Sequence, residues 1–294
     1  MRTTTVLDTT TLTPAVHPRH RMWRAFNRNR TAMVGLVLVV LVTLASLAAP
    51  LIAPHDPLAQ AAANRLLPPD ADHLLGRDPF GRDVLARVLH AGRVSLVVGT
   101  LSVALGAVVG IVTGLVAAYT GGRVEIVLMR LVDILMAFPS LILGLVVLAV
   151  LGGGLGNMIL AIGIVFSPGF ARVVHATTLS LKRQEFVEAA RSIGAGHIRI
   201  MGRHILPNSL GEIVVLASLW TASAIRIEAS LSFIGLGVSP PTPTWGNMIR
   251  EGTSYLLDAP WLSIFPGLAI FLTVLGFNLL GDGLRDVLDP KLHD

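Results

Sequence analysis

Apolar stretches long enough to cross a membrane dominate this chain. A helix needs roughly 20 apolar residues to span the hydrocarbon core of a bilayer. Six stretches reach about that length, near positions 32–53, 94–118, 126–150, 157–175, 210–234 and 261–281. From the second onward they are rich in Gly, Ala, Ser and Thr, which let helices approach closely in lipid. The pattern therefore predicts an all-α, polytopic membrane protein with six packed transmembrane helices.

The composition supports this class and excludes several others. Only 14% of the 294 residues are charged and 53% are hydrophobic, whereas soluble domains are about 25% charged. The absence of cysteine excludes disulfides, thiolate metal ligands and thiol catalysis. The nine histidines are scattered, without helix-face pairs in an apolar stretch, so no metal site is predicted. The basic residues form no dense tract, and no nucleic-acid partner is expected.

The distribution of Lys and Arg predicts the orientation. Segments 1–31, 119–130, 172–208 and 281–294 carry 16 of the 23 basic residues, whereas the opposite loops 54–93 and 237–260 carry six. Because basic residues favour the cytoplasmic side, both termini are predicted to be cytoplasmic.

The N-terminal part divides into two predicted units. Residues 1–20 are predicted to be a disordered cytoplasmic tail. Residues 21–72 form an N-terminal module, in which Arg21–Arg30 is either an amphipathic helix on the membrane surface or an ordinary positive flank of the first helix. Residues 73–294 are predicted to be a five-helix core.

The two outer loops each contain a predicted short helix. In the first, Asp78 is expected to cap a helix that starts at Pro79, with a weak surface pair between Asp83 and Arg87. In the second, a helix from about Trp245 to Leu257 follows three prolines, and Trp245 and Trp261 are expected to anchor at the interface. This second loop either caps the bundle or docks a soluble partner, and the docking candidates are Pro241, Thr242 and Trp245.

The inner loop at 182–208 has a distinctive pattern, "EFVEAARSIGAGHIRIMGRHILPN". It predicts a helix with an apolar face of Phe186, Ala190 and Ile193, a stop at Gly194, and a second short helix that Pro207 breaks before the fifth apolar stretch. Glu188 and Arg191 are placed to pair weakly. From these residues alone, the loop is either a surface connector or a lever that moves its two flanking helices.

This loop resembles the EAA loop of ABC importer permeases. The matching residues are Glu188, Ala189, Ala190, Gly194, Leu206 and Pro207. His204 departs from the usual isoleucine, but the run Arg203–Asn208 is similar to the dipeptide/oligopeptide branch. "HLLGRDPFGRDVLARVLHAGRVSLVVG", "DILMAFPSLIL", "EASLSFIGLGVSPPTPTWGNMI" and "FNLLGDGLRDVLDPKL" resemble the same branch. Trp23–Asn29 with the first helix looks like the N-terminal module of its C-type permease, so the resemblance covers about residue 20 to the end.

The resemblance implies a type I ABC importer permease fold and a non-catalytic subunit in a bacterial plasma membrane. It implies a homologous B-type permease, two ATPase subunits or one fused ATPase that bind ATP and Mg, and an extracytoplasmic substrate-binding protein, besides membrane lipid. ATPase coupling would then involve Glu188, Ala189, Ala190, Arg191, Gly194, Leu206 and Pro207. The chain lacks the phosphate-binding motif Gly-x-x-x-x-Gly-Lys-[Ser/Thr]. The cargo stays open among dipeptides, longer peptides, nickel chelates, glutathione and haem.

Several ionisable residues lie within or beside the apolar stretches. Arg226 and Glu228 are candidates for the translocation path, because intramembrane charges usually face a bundle interior or water. For Arg226 the alternative is a residue that snorkels or pairs with the partner permease. Asp133 is expected to pair locally with Arg130. Pro139 and Pro168 are expected to kink their helices.

Two other functional classes fit the sequence less well. An ion-driven transporter or channel is compatible with six helices, but no inverted repeat is evident. An intramembrane enzyme would need a recognisable catalytic motif, and neither His-Glu-x-x-His nor Gly-x-Ser-x-Gly occurs.

Overall fold

The computed structural model describes residues 26–288, and these form helices joined by loops, with one isolated β-bridge between Arg77 and Asp83. The predicted tail at 1–20 and residues 21–25 of the predicted amphipathic helix Arg21–Arg30 lie outside the described residues. The helices, numbered in chain order, are α1 (Arg30–Leu47), α2 (Ala49–Ile52), α3 (Val84–Thr120), α4 (Gly122–Met136), α5 (Ser140–Leu151), α6 (Leu155–Leu181), α7 (Glu185–Ser192), α8 (His197–Ile200), α9 (Leu206–Ile234), α10 (Trp245–Thr253) and α11 (Trp261–Leu288).

Five helical segments are long and apolar enough to cross a membrane by themselves, and a sixth span is formed if a bent pair counts as one. The segments are α1, α3, α6, the run His197–Ile234 and α11. The bent pair is α4 and α5, whose axes differ by 97°. Pro139 lies at this bend as the residue preceding α5, so the predicted break at Pro139 is confirmed. Pro168, by contrast, lies inside the uninterrupted helix α6.

Helices α3 and α6 form the most extensive helix pair of the described chain. Gly106, Gly110 and Gly114 lie on one face of α3, spaced by four residues, and the backbone of α6 approaches them directly. A Cβ atom at any of the three would lie within 3.0 Å of a carbonyl oxygen of α6. Small residues at this spacing permit close helix contact in lipid, where packing rather than hydrophobic burial holds helices together.

The N-terminal helix packs onto the C-terminal one. Gly35 of α1 meets the backbone of α11 at Gly276 and Leu280, and Gly283 of α11 meets Ala32. Asn29 caps α1 by accepting a hydrogen bond from the Ala32 amide, 3.0 Å away, and its side-chain amide donates to Asp286, 3.1 Å away. The first helix is thus fixed to the core. The boundary of the N-terminal module at residue 72 stays a prediction.

The start of α3 differs from the expectation. The helix begins at Val84, with Asp83 as its N-cap, and continues without a separate elbow through the apolar stretch to Thr120. Asp78 caps no helix; its carboxylate instead accepts hydrogen bonds from the amides of Phe80 and Arg82 in a turn. The prediction failed because Asp78 and Asp83 are both suitable N-cap residues, and the helix uses Asp83.

Candidate functional site: the loop between α6 and α9 and the two ends of the bundle

The loop between α6 and α9 is anchored from within. Val187 and Ala190 of α7, together with Ile200 and Ile205, are buried in the main hydrophobic core. These four residues fix the position of α7 and α8 against the helices that flank them. Such anchoring is what a lever requires, because a force applied to the loop reaches the core through packed side chains.

The outward face of the same loop is unusually apolar. Phe186 is 40% exposed, Ile193 85% and Ile198 84%, and Ala189 is exposed between them. The predicted face of Phe186, Ala190 and Ile193 is therefore wrong in its grouping, since Ala190 points into the core while the other two point outward. We call Phe186, Ala189, Ile193 and Ile198 the exposed apolar face of the inner loop. Single exposed apolar side chains are common at surfaces, but several on one short loop make it a candidate interaction site.

The polar residues of the motif are available on this surface. Glu188 and Arg191 are both exposed, and they form no ion pair with each other, which corrects the expected pairing. The Arg191 guanidinium instead lies 5.7 Å from the ring centre of Tyr119. Glu185 and Glu188 lie in the first turn of α7 and Arg191 in the last, an arrangement that the helix dipole favours.

The turn after α7 depends on glycine. Gly194 has φ +82, a left-handed conformation that glycine adopts at little cost. The Gly194 amide donates to the Arg191 carbonyl at 2.9 Å, and the Ala195 amide donates to the Ala190 carbonyl at 3.0 Å. These bonds satisfy carbonyl groups at the end of α7. The predicted helix stop at Gly194 is confirmed.

The break predicted at Pro207 is absent. Residues Met201–Ile205 form a π-helical turn, and the helix continues from His197 to Ile234 without a sharp bend. Pro207 lies in the first turn of α9, directly after this π-helical turn, where the ordinary α-helical hydrogen-bond pattern is already interrupted. Leu206 and Pro207 therefore join the loop rigidly to α9 instead of separating the two.

Tyr119, near the C-terminal end of α3, was missed by the sequence analysis. Its hydroxyl lies 3.1 Å from Nδ1 of His197 in α8, and its ring lies beneath Arg191 of α7. Lys182 donates to the Ala118 carbonyl at 2.6 Å. The loop is thus connected to α3 as well as to α6 and α9. The available signal was an amphipathic aromatic residue at the end of an apolar stretch.

The two path candidates lie in different surroundings. Arg226 is exposed and donates to the Ser223 hydroxyl at 2.9 Å, and its place on the path stays a prediction. Glu228 is 0% exposed, and its two carboxylate oxygens accept hydrogen bonds from Ser95 and Ser232, each 2.8 Å away. Glu228 therefore joins α3 to α9 inside the chain, and in this conformation it faces no open surface.

The outer end is closed by a buried cluster of charges. Arg82, 5% exposed, and Arg87, 2% exposed, both donate to the Glu251 carboxylate of α10, at 3.0 and 3.2 Å. Asp78 pairs with the same two arginines at 2.5 and 3.4 Å. We call these four residues the outer charge cluster. The expected surface pair of Asp83 and Arg87 is wrong, because Asp83 caps α3 while Arg87 points into this cluster.

The second outer loop presents only part of the expected docking surface. Pro241 and Thr242 are exposed, whereas Trp245 is 1% exposed and its indole nitrogen donates to the Val88 carbonyl at 3.0 Å. Trp245 is therefore a core residue and neither a docking residue nor a lipid anchor. The predicted helix is confirmed as α10, which ends at Thr253 and is capped by Thr244.

Helices α4 and α6 are joined by two carboxylate contacts. Asp133 forms an ion pair with Arg172 at 2.6 Å, not with Arg130 as expected, and the Glu125 carboxylate lies 2.7 Å from Nε2 of His175. The prediction for Asp133 was wrong because it chose the basic residue nearest in sequence, whereas the partner lies on a neighbouring helix.

Comparison with known proteins agrees with this architecture. Residues 110–294 match the family "binding-protein-dependent transport system inner membrane component", and residues 17–69 match the "N-terminal TM domain of oligopeptide transport permease C". The glutathione transport system permease protein GsiD of Escherichia coli O6:K15:H31 is 46% identical over 94% of this chain and 91% of its own length. The dipeptide transport system permease protein DppC of Alkalihalophilus pseudofirmus is 41% identical over 95% and 91%.

A solved structure shares the fold. The inward-facing MetNI methionine ABC transporter contains a chain that superposes with a TM-score of 0.55 at 19% identity, over 68% of this chain and 96% of that one. On these grounds, and with the helical bundle and inner loop described above, the chain belongs to the binding-protein-dependent inner-membrane permeases, in the dipeptide/oligopeptide C-type branch of ABC importers.

Proposed function

We propose that this chain forms one half of a path through which short peptides enter the bacterial cytoplasm, driven by ATP that partner subunits bind and hydrolyse with Mg. The observation that supports coupling to the ATPase is that the loop 182–208 is anchored in the core. The side of the loop that faces the core is buried, and its exposed apolar face lies uncovered beside Glu188 and Arg191. An apolar surface rimmed by charge is suited to a cleft in another protein.

The cargo class is supported by the relatives. One is named for glutathione and another for dipeptides, and both are short peptides. The chain would pair with a homologous B-type permease to close the path and would receive cargo from an extracytoplasmic substrate-binding protein. Pro241 and Thr242 are exposed on the side where that protein would dock, if both termini are cytoplasmic.

The ATPase, either two subunits or one fused chain, would contact the exposed apolar face of the inner loop. Closure of the ATPases would then move α7 and α8, and the motion would reach α9 through the π-helical turn and α3 through Tyr119. The proposed coupling residues that are exposed, Glu188, Ala189, Arg191, Gly194 and Pro207, would form the contact. Ala190 and Leu206 would hold the loop in place.

The test is co-purification of the assembled importer with Glu188→Arg and Gly194→Trp variants of this chain. We expect both variants to lose the ATPase or the peptide-stimulated hydrolysis, while the B-type permease still co-purifies. Asp258→Arg is the matched control, since it also reverses an exposed acidic residue but lies in the opposite loop. Retention of full stimulated hydrolysis in both loop variants would overturn the coupling role.

A further inference from the structure

Two histidines and an aspartate meet on the outer loop, although the sequence spacing predicted no metal site. They are His55, which follows α2, His73 in the middle of the loop, and Asp83, the N-cap of α3. One ligand atom from each residue lies within 4.8 Å of the other two. No step of the proposed transport cycle uses these residues.

The separations suit a shared ion. Nδ1 of His73 lies 2.8 Å from Oδ1 of Asp83, and Nδ1 of His55 lies 3.9 Å from the same oxygen. Ligand atoms bound at about 2.0–2.2 Å from a tetrahedral ion are about 3.3–3.6 Å apart. The two observed distances lie on either side of that range, and the ligand nitrogens of the two histidines lie within 4.8 Å of each other. Modest side-chain movements would therefore place all three ligands around one ion.

The cluster is built and held rather than formed by chance on a mobile surface. The side chains of His73 and Asp83 are 8% and 1% exposed. The backbone amide of His73 donates to Oδ1 of Asp70 at 2.6 Å, which fixes the turn that carries the ring. Asp83 uses its other oxygen, Oδ2, to accept the Ala86 amide at 2.7 Å. This bond leaves Oδ1 directed at the two histidines.

One nitrogen in the cluster has no hydrogen-bond partner. Nδ1 of His55 is buried and unsatisfied, although 38% of the side chain is exposed. The His55 and His73 rings are stacked, with centres 4.2 Å apart and planes inclined by 22°, so both Nδ1 atoms face the same carboxylate. A carboxylate oxygen that already accepts from His73 does not reach His55 at 3.9 Å, and an unmade buried hydrogen bond is costly.

We propose that His55, His73 and Asp83 bind a divalent transition-metal ion of the Zn²⁺ class, which fastens the outer loop to the start of α3. Coordination would use the free Nδ1 of His55, shift the His73 proton to Nε2, and balance the Asp83 charge. Two imidazoles and one carboxylate favour Zn²⁺, Ni²⁺ or Cu²⁺ over Mg²⁺ and Ca²⁺, which prefer oxygen ligands.

The test is Zn²⁺ titration of the metal-stripped importer, assembled with its partner subunits and purified through a tag without histidine. We expect the wild type to bind one Zn²⁺ that His55→Gln does not bind at the same concentration. In His55→Gln the affinity of this site should fall at least tenfold. Asp83→Asn should lose the site too, while its amide oxygen still caps α3. His204→Gln, on the cytoplasmic loop, is the matched control, and Mg²⁺ is the control ion.

A second measurement separates binding from a folding defect. Zn²⁺ should raise the melting temperature of the wild type and of His204→Gln, and should leave that of His55→Gln unchanged. Equal Zn²⁺ binding by the wild type, His55→Gln and Asp83→Asn would overturn the proposal. A site lost in His204→Gln but kept in His55→Gln would also overturn it, since the ion would then lie at the inner loop.

Discussion

At the scale of single residues, burial separates roles that the sequence pattern left together. Glu228 and Arg226 are two positions apart, yet one is enclosed between α3 and α9 and the other is exposed. Trp245 and Pro241 belong to one loop, yet only the proline is exposed. Residue type and spacing do not reveal which way a side chain points when the helix partners are unknown.

Glu228 should tolerate an amide but not an apolar side chain. In Glu228→Gln, the amide can still accept from one serine and donate to the other, so stability should change by less than about 1 kcal/mol. In Glu228→Leu, the hydroxyls of Ser95 and Ser232 lose their acceptor, at about 1–3 kcal/mol for each unsatisfied group. The measurement is thermal unfolding of the purified importer in detergent. Equal melting temperatures for the two variants would contradict this account of the contact.

Tyr119 should affect coupling more than assembly. Tyr119→Phe removes one partly exposed hydrogen bond, worth about 0.5–1.5 kcal/mol, and should reduce peptide uptake only slightly. Tyr119→Ala also removes the ring beneath Arg191, and uptake per ATP hydrolysed should fall several-fold while the ATPase still co-purifies. Peptide uptake and phosphate release, measured in the same proteoliposomes, provide the ratio. An unchanged ratio in Tyr119→Ala would show that α3 does not transmit loop motion.

At the scale of helices, the apolar stretches predicted which segments cross the membrane but not how they end. Six stretches were expected, and each corresponds to a helix or to the bent pair α4 and α5. The predicted starts of α3 and α9 were wrong because the residue types suit more than one helix start. Asp83 caps α3 and contacts His73, and the π-helical turn before Pro207 follows the buried Ile200 and contains the buried Ile205. The hydropathy pattern predicts neither the cap of α3 nor the π-helical turn before α9.

The glycine face of α3 provides the prediction at this scale. Gly110→Ala places a methyl group against the carbonyl of Ser167 and the amide of Ala171 in α6, so the helices must separate. We expect a loss of about 1–3 kcal/mol and a lower yield of folded protein in fluorescence-detected size exclusion. Gly156→Ala is the control, because its Cβ would meet nothing within 4 Å. If both variants behave alike, close α3–α6 contact is not what stabilises the bundle.

At the scale of the whole molecule, α3 connects the two functional ends. Its 37 residues span about 55 Å at the usual rise of an α-helix. Arg87 and the Asp83 cap lie at its outer end, and Tyr119 lies at its inner end. Through the outer charge cluster the helix is fastened to α10, and through Tyr119 to the proposed coupling loop, residues 182–208. A single rigid helix thus connects the proposed docking side to the proposed ATPase side.

This connection leads to a prediction about receptor stimulation. Glu251 accepts from both Arg82 and Arg87, so Glu251→Gln removes the charge that fastens α10 to α3 and leaves Asp78 to balance two buried arginines. Because the Glu251 side chain is 23% exposed and the amide oxygen can still accept a hydrogen bond, the cost should lie below the about 3–5 kcal/mol of breaking a fully buried pair. We expect the peptide-loaded binding protein to stimulate ATP hydrolysis much less in this variant, while basal hydrolysis and ATPase co-purification persist. Asp258→Asn makes the same acid-to-amide change on an exposed residue nearby and should behave as wild type. Full stimulation in Glu251→Gln would mean that the docking signal reaches the loop through the partner permease, independently of α3.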